Sequence, residues 1–157
     1  MKTAEDILND KRPFEIIAIR HDQTIAAAIE RMNQANIGAI LIKKAEDIVG
    51  IWTERDLLRA MGQPGFDPRQ AMVCDHMQTQ LHSATCDTEV MRLEEMFIGL
   101  FIRHILIRKE DQYIGLLSIG DVLRASLLEK DRRIRELNTI ASWQYYENWG
   151  WDRKKAD

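Results

Sequence analysis

Cysteine occurs only twice in the 157 residues, at Cys74 and Cys86. Two thiols are too few for a disulfide framework and suit a reducing cytosol. Long apolar runs are missing too: 37–42 and 96–102 are the main ones, far short of a bilayer span. The opening MKTAED has no apolar h-region and soon turns acidic, unlike a secretory signal. No charge sign dominates, since 22 basic and 25 acidic residues leave −3. That balance offers no electrostatic case for nucleic acid. GxSxG, Walker A and GxGxxG are absent, and neither cysteine has a local partner pattern, so no activated nucleophile can be argued. These absences leave a cytoplasmic domain that is not an enzyme and engages neither membrane nor nucleic acid.

What is present is an ordinary globular composition, 45% hydrophobic and 30% charged, in a chain long enough to bury a core. It also contains a repeat. GIWTERD at 50–56 returns as GLLSIGD at 115–121, so Gly50, Thr53 and Asp56 become Gly115, Ser118 and Asp121 at an offset of 65. GAILIK and RHILIR pair at the same offset. Thr24, Ile29 and Met32 pair with Thr88, Leu93 and Met96 at 64, one residue having been inserted before the strand.

Each half reads as helix, strand, helix, strand, strand, helix. In the first, Thr3 to Asp6 is a capping box opening a short helix, and 14–19 is extended. Thr24 starts a helix with Ile25, Ala28, Ile29, Met32 and Ala35 on one face. GAILIKK is a buried strand, 44–47 a turn and 47–52 a second strand, and Thr53 caps the next helix. The stretch GQPGFDPR at 62–69 holds two of the three prolines and is the linker. Beyond it come a short helix at 70–77, an extended segment at 81–85 and a helix opened by Thr88. Strands at 104–108 and 113–117 follow, then a last helix from Ser118 to about Ile140. The expected units are repeat one over 1–61, the linker, repeat two over 70–128, and a helical extension with an aromatic tail over 129–157.

The NIGAILI strand, the VGIWTERD segment, the IRHILIR strand and the IGLLSIGD segment, in register, resemble the tandem cystathionine β-synthase (CBS) domain proteins. The likeness covers roughly residues 3–128 and the short bacterial stand-alone members. It implies an α/β fold of two β-α-β-β-α repeats packed sheet to sheet about a pseudo-two-fold axis, commonly dimerised into a disc of four repeats. It further implies adenosine ligands (AMP, ADP, ATP, NAD or S-adenosylmethionine) in clefts between repeats, and action by change of shape or association. One departure is Leu106, where the family often has proline.

For such a ligand, a helix start offers free N–H groups and the positive end of the dipole, which suit a phosphate. The resemblance places the hydroxyls of Thr53 and Ser118 near phosphate, and Asp56 and Asp121, acceptor-only when ionised, on ribose hydroxyls. Ile16, Ile17 and Ala18 with Ile37, Gly38 and Ala39 are the candidates for an adenine slot. Arg103 and His104, at the equivalent place in the second repeat, are poor walls but good phosphate partners; Arg55 is another. The first-repeat site is expected to be the better one, with Arg103 or His104 reaching across. From spacing alone the alternative stands that TERD and SIGD are capping boxes and nothing more.

Cys74, His76, His82 and Cys86 have a zinc-like composition, but their spacing matches no paired-ligand pattern and favours ordinary core and surface roles. Along the last helix, Leu123, Leu127, Ile134, Leu137 and Ala141 approximate a heptad seam interrupted by Lys130. The tail then gathers Trp143, Tyr145, Tyr146, Trp149 and Trp151 into nine residues. Three occupants suit such aromatics: the protein's own homodimer, another protein, and nucleic-acid bases, which the acidic balance disfavours. The sequence therefore gives two functional readings, a nucleotide sensor or an adaptor homodimer working through its tail.

Overall fold

The structure, a computed structural model, describes residues 1–11 and 16–153, with side chains through Ala141. Its first half comprises α1 (Ala4–Asp10), β1 (Ala18–Arg20), α2 (Ile25–Ala35), β2 (Ala39–Lys44), β3 (Asp47–Thr53) and α3 (Glu54–Met61). The second repeats the order with α4 (Val73–His76), β4 (Ser83–Thr85), α5 (Val90–Leu100), β5 (His104–Lys109), β6 (Gln112–Ser118) and α6 (Ile119–Arg153). Each half forms one three-stranded sheet in which the first strand runs parallel and the third antiparallel to the middle one. The duplication extends to fine detail. Gly50 lies opposite Ile42 and Gly115 opposite Ile107, and both ladders shift register one residue later. Both hairpins turn through a left-handed residue, Ala45 or Glu110.

The elements follow from local chemistry. Thr3, Thr53 and Ser118 each accept a hydrogen bond from the backbone N–H three residues on, and that residue's carboxylate in turn accepts one from the cap's own N–H. Thr24 caps α2 in the same way through the Ala27 N–H. The middle strands β2 and β5 are buried over residues 39–42 and 105–107, as expected of strands covered on both faces. Two expectations fail. α5 begins at Val90 with Glu89, not Thr88, at its cap position, and the Thr88 hydroxyl instead meets that of Thr85 at 3.0 Å. The helix expected over 70–77 is one turn, because Met72 bridges to Thr24 and carries no capping oxygen. Leu106, where proline is common in the family, donates its N–H to the His82 carbonyl at 2.9 Å, a bond proline could not make.

The hydrophobic core divides into two clusters, and each borrows from the other half. α1 packs with β6 and α6: Ala4, Ile7 and Leu8 are buried beside Leu93, Phe97, Ile105 and Leu117. The N–H groups of Ala4 and Glu5 donate to the carbonyls of Thr88 and Cys86, and Lys109 pairs with Glu5. Conversely, Ala71, Val73 and Met77 around α4 join Ile25, Met32, Ile40 and Trp52 of the first half. The halves thus exchange their opening helices. This exchange explains the repeated glycine. A Cβ at Gly50 would sit 2.4 Å from Met77 Sδ, and one at Gly115 would sit 2.6 Å from Leu8 Cδ2. Each glycine lets a borrowed helix approach the strand.

α6 continues 35 residues, past the expected end near Ile140 to Arg153, and every residue from 130 to 140 is exposed. The aromatic side chains of 143–151 lie outside the described ones.

Candidate functional site

The helix starts after β3 and β6 open onto two cavities between the halves, of about 400 and 370 Å³. The first joins Ile16, Ile17, Ile37, Gly38 and Ala39 from the first half to Ser118, Asp121 and His104 from the second, with Lys11 from the end of α1. The second joins Thr53, Arg55, Asp56 and Arg59 to Phe101, Arg103 and His104, with Gln78 and His82. The structure therefore pairs the expected elements crosswise. The small-residue wall of repeat one faces the hydroxyl and carboxylate of repeat two. Thr53 and Asp56 face Arg103 instead, and Gly38 and His104 border both cavities. Ala18 lies in β1 opposite Leu41 and lines neither.

The two carboxylates differ in what they already hold. Asp56 Oδ2 accepts from the Thr53 N–H at 2.9 Å and hydroxyl at 2.8 Å, and its Oδ1 accepts from Gln78 Nε2 at 2.7 Å. Asp121 Oδ2 takes the Ser118 N–H and hydroxyl and Lys11 Nζ, each at 2.8 Å, and none of these bonds uses Oδ1. Burial pushes the Asp121 pKa up, but the Lys11 hydrogen bond, the Ser118 N–H and hydroxyl and the Lys11 charge together outweigh it, leaving it below the ordinary carboxylate value. His104 is pulled the other way from its ordinary range: burial, then Arg103 and Lys11, lower its pKa against the weaker pull of Asp121 and Glu54. At neutral pH, Asp121 is an anion and His104 a neutral ring.

Glu54 sits beside the Gly38 wall: its N–H donates to the Gly38 carbonyl at 3.0 Å, and a Cβ at Gly38 would come within 2.9 Å of its carboxylate. The Ile119 N–H makes the equivalent bond to Arg103 at 2.9 Å. In this way the start of each closing helix is fixed to the residue that leads into the middle strand of its own half. Lys11, Gln78, Arg59, His82 and Phe101 were not foreseen from sequence. Lys11 and Gln78 stand 110 and 22 residues from the carboxylates they touch, and only the exchange of helices brings them there.

Among the described residues no three or more His, Cys, Asp or Glu gather as a metal site. Cys74 is exposed, and His76 packs edge-on to Trp52 and Phe66 at centroid distances of 6.3 and 5.3 Å. No helix among the described residues is long and apolar enough to cross a membrane.

Comparison with known proteins agrees with this architecture. The family described as CBS domain matches residues 4–63. The chain is 34% identical over 129 residues to the Arabidopsis thaliana "CBS domain-containing protein CBSX3, mitochondrial", across 79% of this chain and 63% of that protein. It thus spans less than two thirds of that relative's length. Among solved structures, the CBS domain NE2398 superposes with a TM-score of 0.75 at 29% identity, covering 81% of this chain and 99% of the other. The CBS-domain containing protein ATU1752 from Agrobacterium tumefaciens gives 0.74 at 26%, covering 80% and 99%. With the repeat, the paired sheets and these likenesses in agreement, residues 4–63 match the CBS-domain family and the chain as a whole has the fold of a tandem pair of its repeats.

Proposed function

We propose that the protein is a non-catalytic regulatory module that binds an adenosine nucleotide (AMP, ADP, ATP, NAD or S-adenosylmethionine) between its repeats. The observation that carries this reading is the pair of cavities, each holding a helix start with a hydroxyl and a carboxylate. In the first cavity, adenine lies along Ile16, Ile17, Ile37, Gly38 and Ala39. Its ribose meets the Oδ1 of Asp121, and its phosphates meet Ser118, Lys11 and the start of α6. In the second, Arg55, Arg59 and Arg103 supply the phosphate partners, Thr53 caps the helix, and a ribose on Asp56 trades places with the amide of Gln78. The first cavity needs no such exchange and fills first. Binding favours one arrangement of the two halves and so alters contacts with a second copy or another protein in the cytoplasm.

The thermal unfolding midpoint of stripped protein, titrated with the five ligands, tests this. A ligand at a hundredfold its dissociation constant stabilises by about 2.7 kcal/mol, a rise of roughly 5–10 °C for a chain of this size. Asp121→Ala should reduce the rise most, and Asp56→Ala should remove a weaker component. No rise with any ligand would rule the reading out in favour of an adaptor homodimer.

A further inference from the structure

Phe101 occupies a place that the fold gives no reason to fill with phenylalanine. It ends α5 in the left-handed region at φ 52°, and its side chain is 91% exposed. A bulky residue there is a backbone outlier. The residue 65 positions earlier, Asn36, ends α2 at the same φ of 52° and borders the first cavity. Asparagine tolerates that conformation, so the first repeat solves the same geometric problem without strain. Phe101 gains no compensating burial. It does border the second cavity, where Arg55, Arg59 and Arg103 gather.

We propose that Phe101 is the ring-stacking residue of the second cavity, closing over the base of a nucleotide whose phosphates lie on those arginines. The proposal rests on the nucleotide reading above and adds a selectivity to it. The first cavity lines its base with aliphatic groups and glycine and meets phosphate with one lysine. The second recognises a planar ring by its π-face and a phosphate by guanidinium forks. A stacked base tolerates exchange of one ring for another. The second cavity is therefore the less adenine-selective of the two.

The test is calorimetric titration of the full chain with ATP and GTP, for wild type, Asp56→Ala, Phe101→Asn and Phe101→Trp. Asp56→Ala marks the binding event that belongs to the second cavity. At that event Phe101→Asn should weaken binding roughly 5- to 150-fold, the span of one stacking contact, while Phe101→Trp retains it and GTP competes. The unliganded Phe101→Asn protein should unfold no lower in temperature than wild type, since strain is relieved, which separates lost stacking from a damaged fold. Unchanged affinity in Phe101→Asn would overturn the proposal and leave the nucleotide reading standing. So would a change in sedimentation alone, which would make Phe101 a contact between chains. If no binding is sensitive to Asp56→Ala, the second cavity holds no nucleotide and the proposal falls. If wild type binds neither nucleotide, the proposal falls, and the thermal titration with all five ligands decides the underlying reading.

Discussion

His104 stands between two cavities and among charges of both signs, with Arg103 just before it in the chain, Lys11 at the end of α1, Asp121 on α6 and Glu54 on α3. Its pKa is lowered by burial and the two cations, so the folded state holds fewer protons than the unfolded one as pH falls below the ordinary 6.5. The associated stability is present above that value and is lost as pH falls through the folded one. Asp121, also lowered, adds stability above its ordinary 3.8 that disappears as pH drops through its folded value. Urea midpoints measured against pH should therefore decline in two steps, one beginning near 6.5 and one below 3.8. His104→Gln should remove the first step and Lys11→Met should weaken the second. A wild-type profile flat down to pH 4 would contradict the burial of the imidazole.

Among the elements, the short helices carry more than their length suggests. Ile7 and Leu8 are nearly buried, each burial stabilising by about 1.5–3 kcal/mol, and they do so in the half to which α1 does not belong in sequence. Deleting residues 1–11 should destabilise the protein and lower amide-exchange protection first in β5 and β6, with β2 and β3 less affected. Equal loss in both sheets would mean that the two clusters do not behave separately. Most elements could be read from sequence because each carries its own signal: the capping hydroxyls of Thr3, Thr24, Thr53 and Ser118, the continuous apolar run at 39–42, the prolines at 64 and 68. The exchange of helices could not be read, because residues that pair 110 positions apart leave no local pattern. For the same reason the hydroxyl–carboxylate pairs are legible in the sequence, whereas their crosswise placement on opposite walls and the positions of Lys11, Gln78 and Phe101 beside the cavities are not. Thr88 misled because its hydroxyl had a nearer partner in Thr85.

For the whole molecule, the outstanding feature is α6, about 52 Å long at 1.5 Å per residue and exposed throughout 130–140. Leu127, Ile134 and Leu137 lie unburied along it, and such a helix draws most of its stability from packing. A second copy is the occupant we expect in solution. Sedimentation should show a dimer, and a paired Ile134→Glu, Leu137→Glu variant should shift it toward monomer with both cavities unaltered; an unshifted dimer would put the interface elsewhere. The trade of opening helices has a further result for how such a molecule is assembled. A single repeat on its own would leave its core incomplete and could finish it only by lending its helix to another copy, at the mercy of concentration. Joining two repeats through 62–69 makes that loan internal. The effective concentration of a tethered partner is then in the millimolar range, so the pair completes itself however dilute the protein becomes.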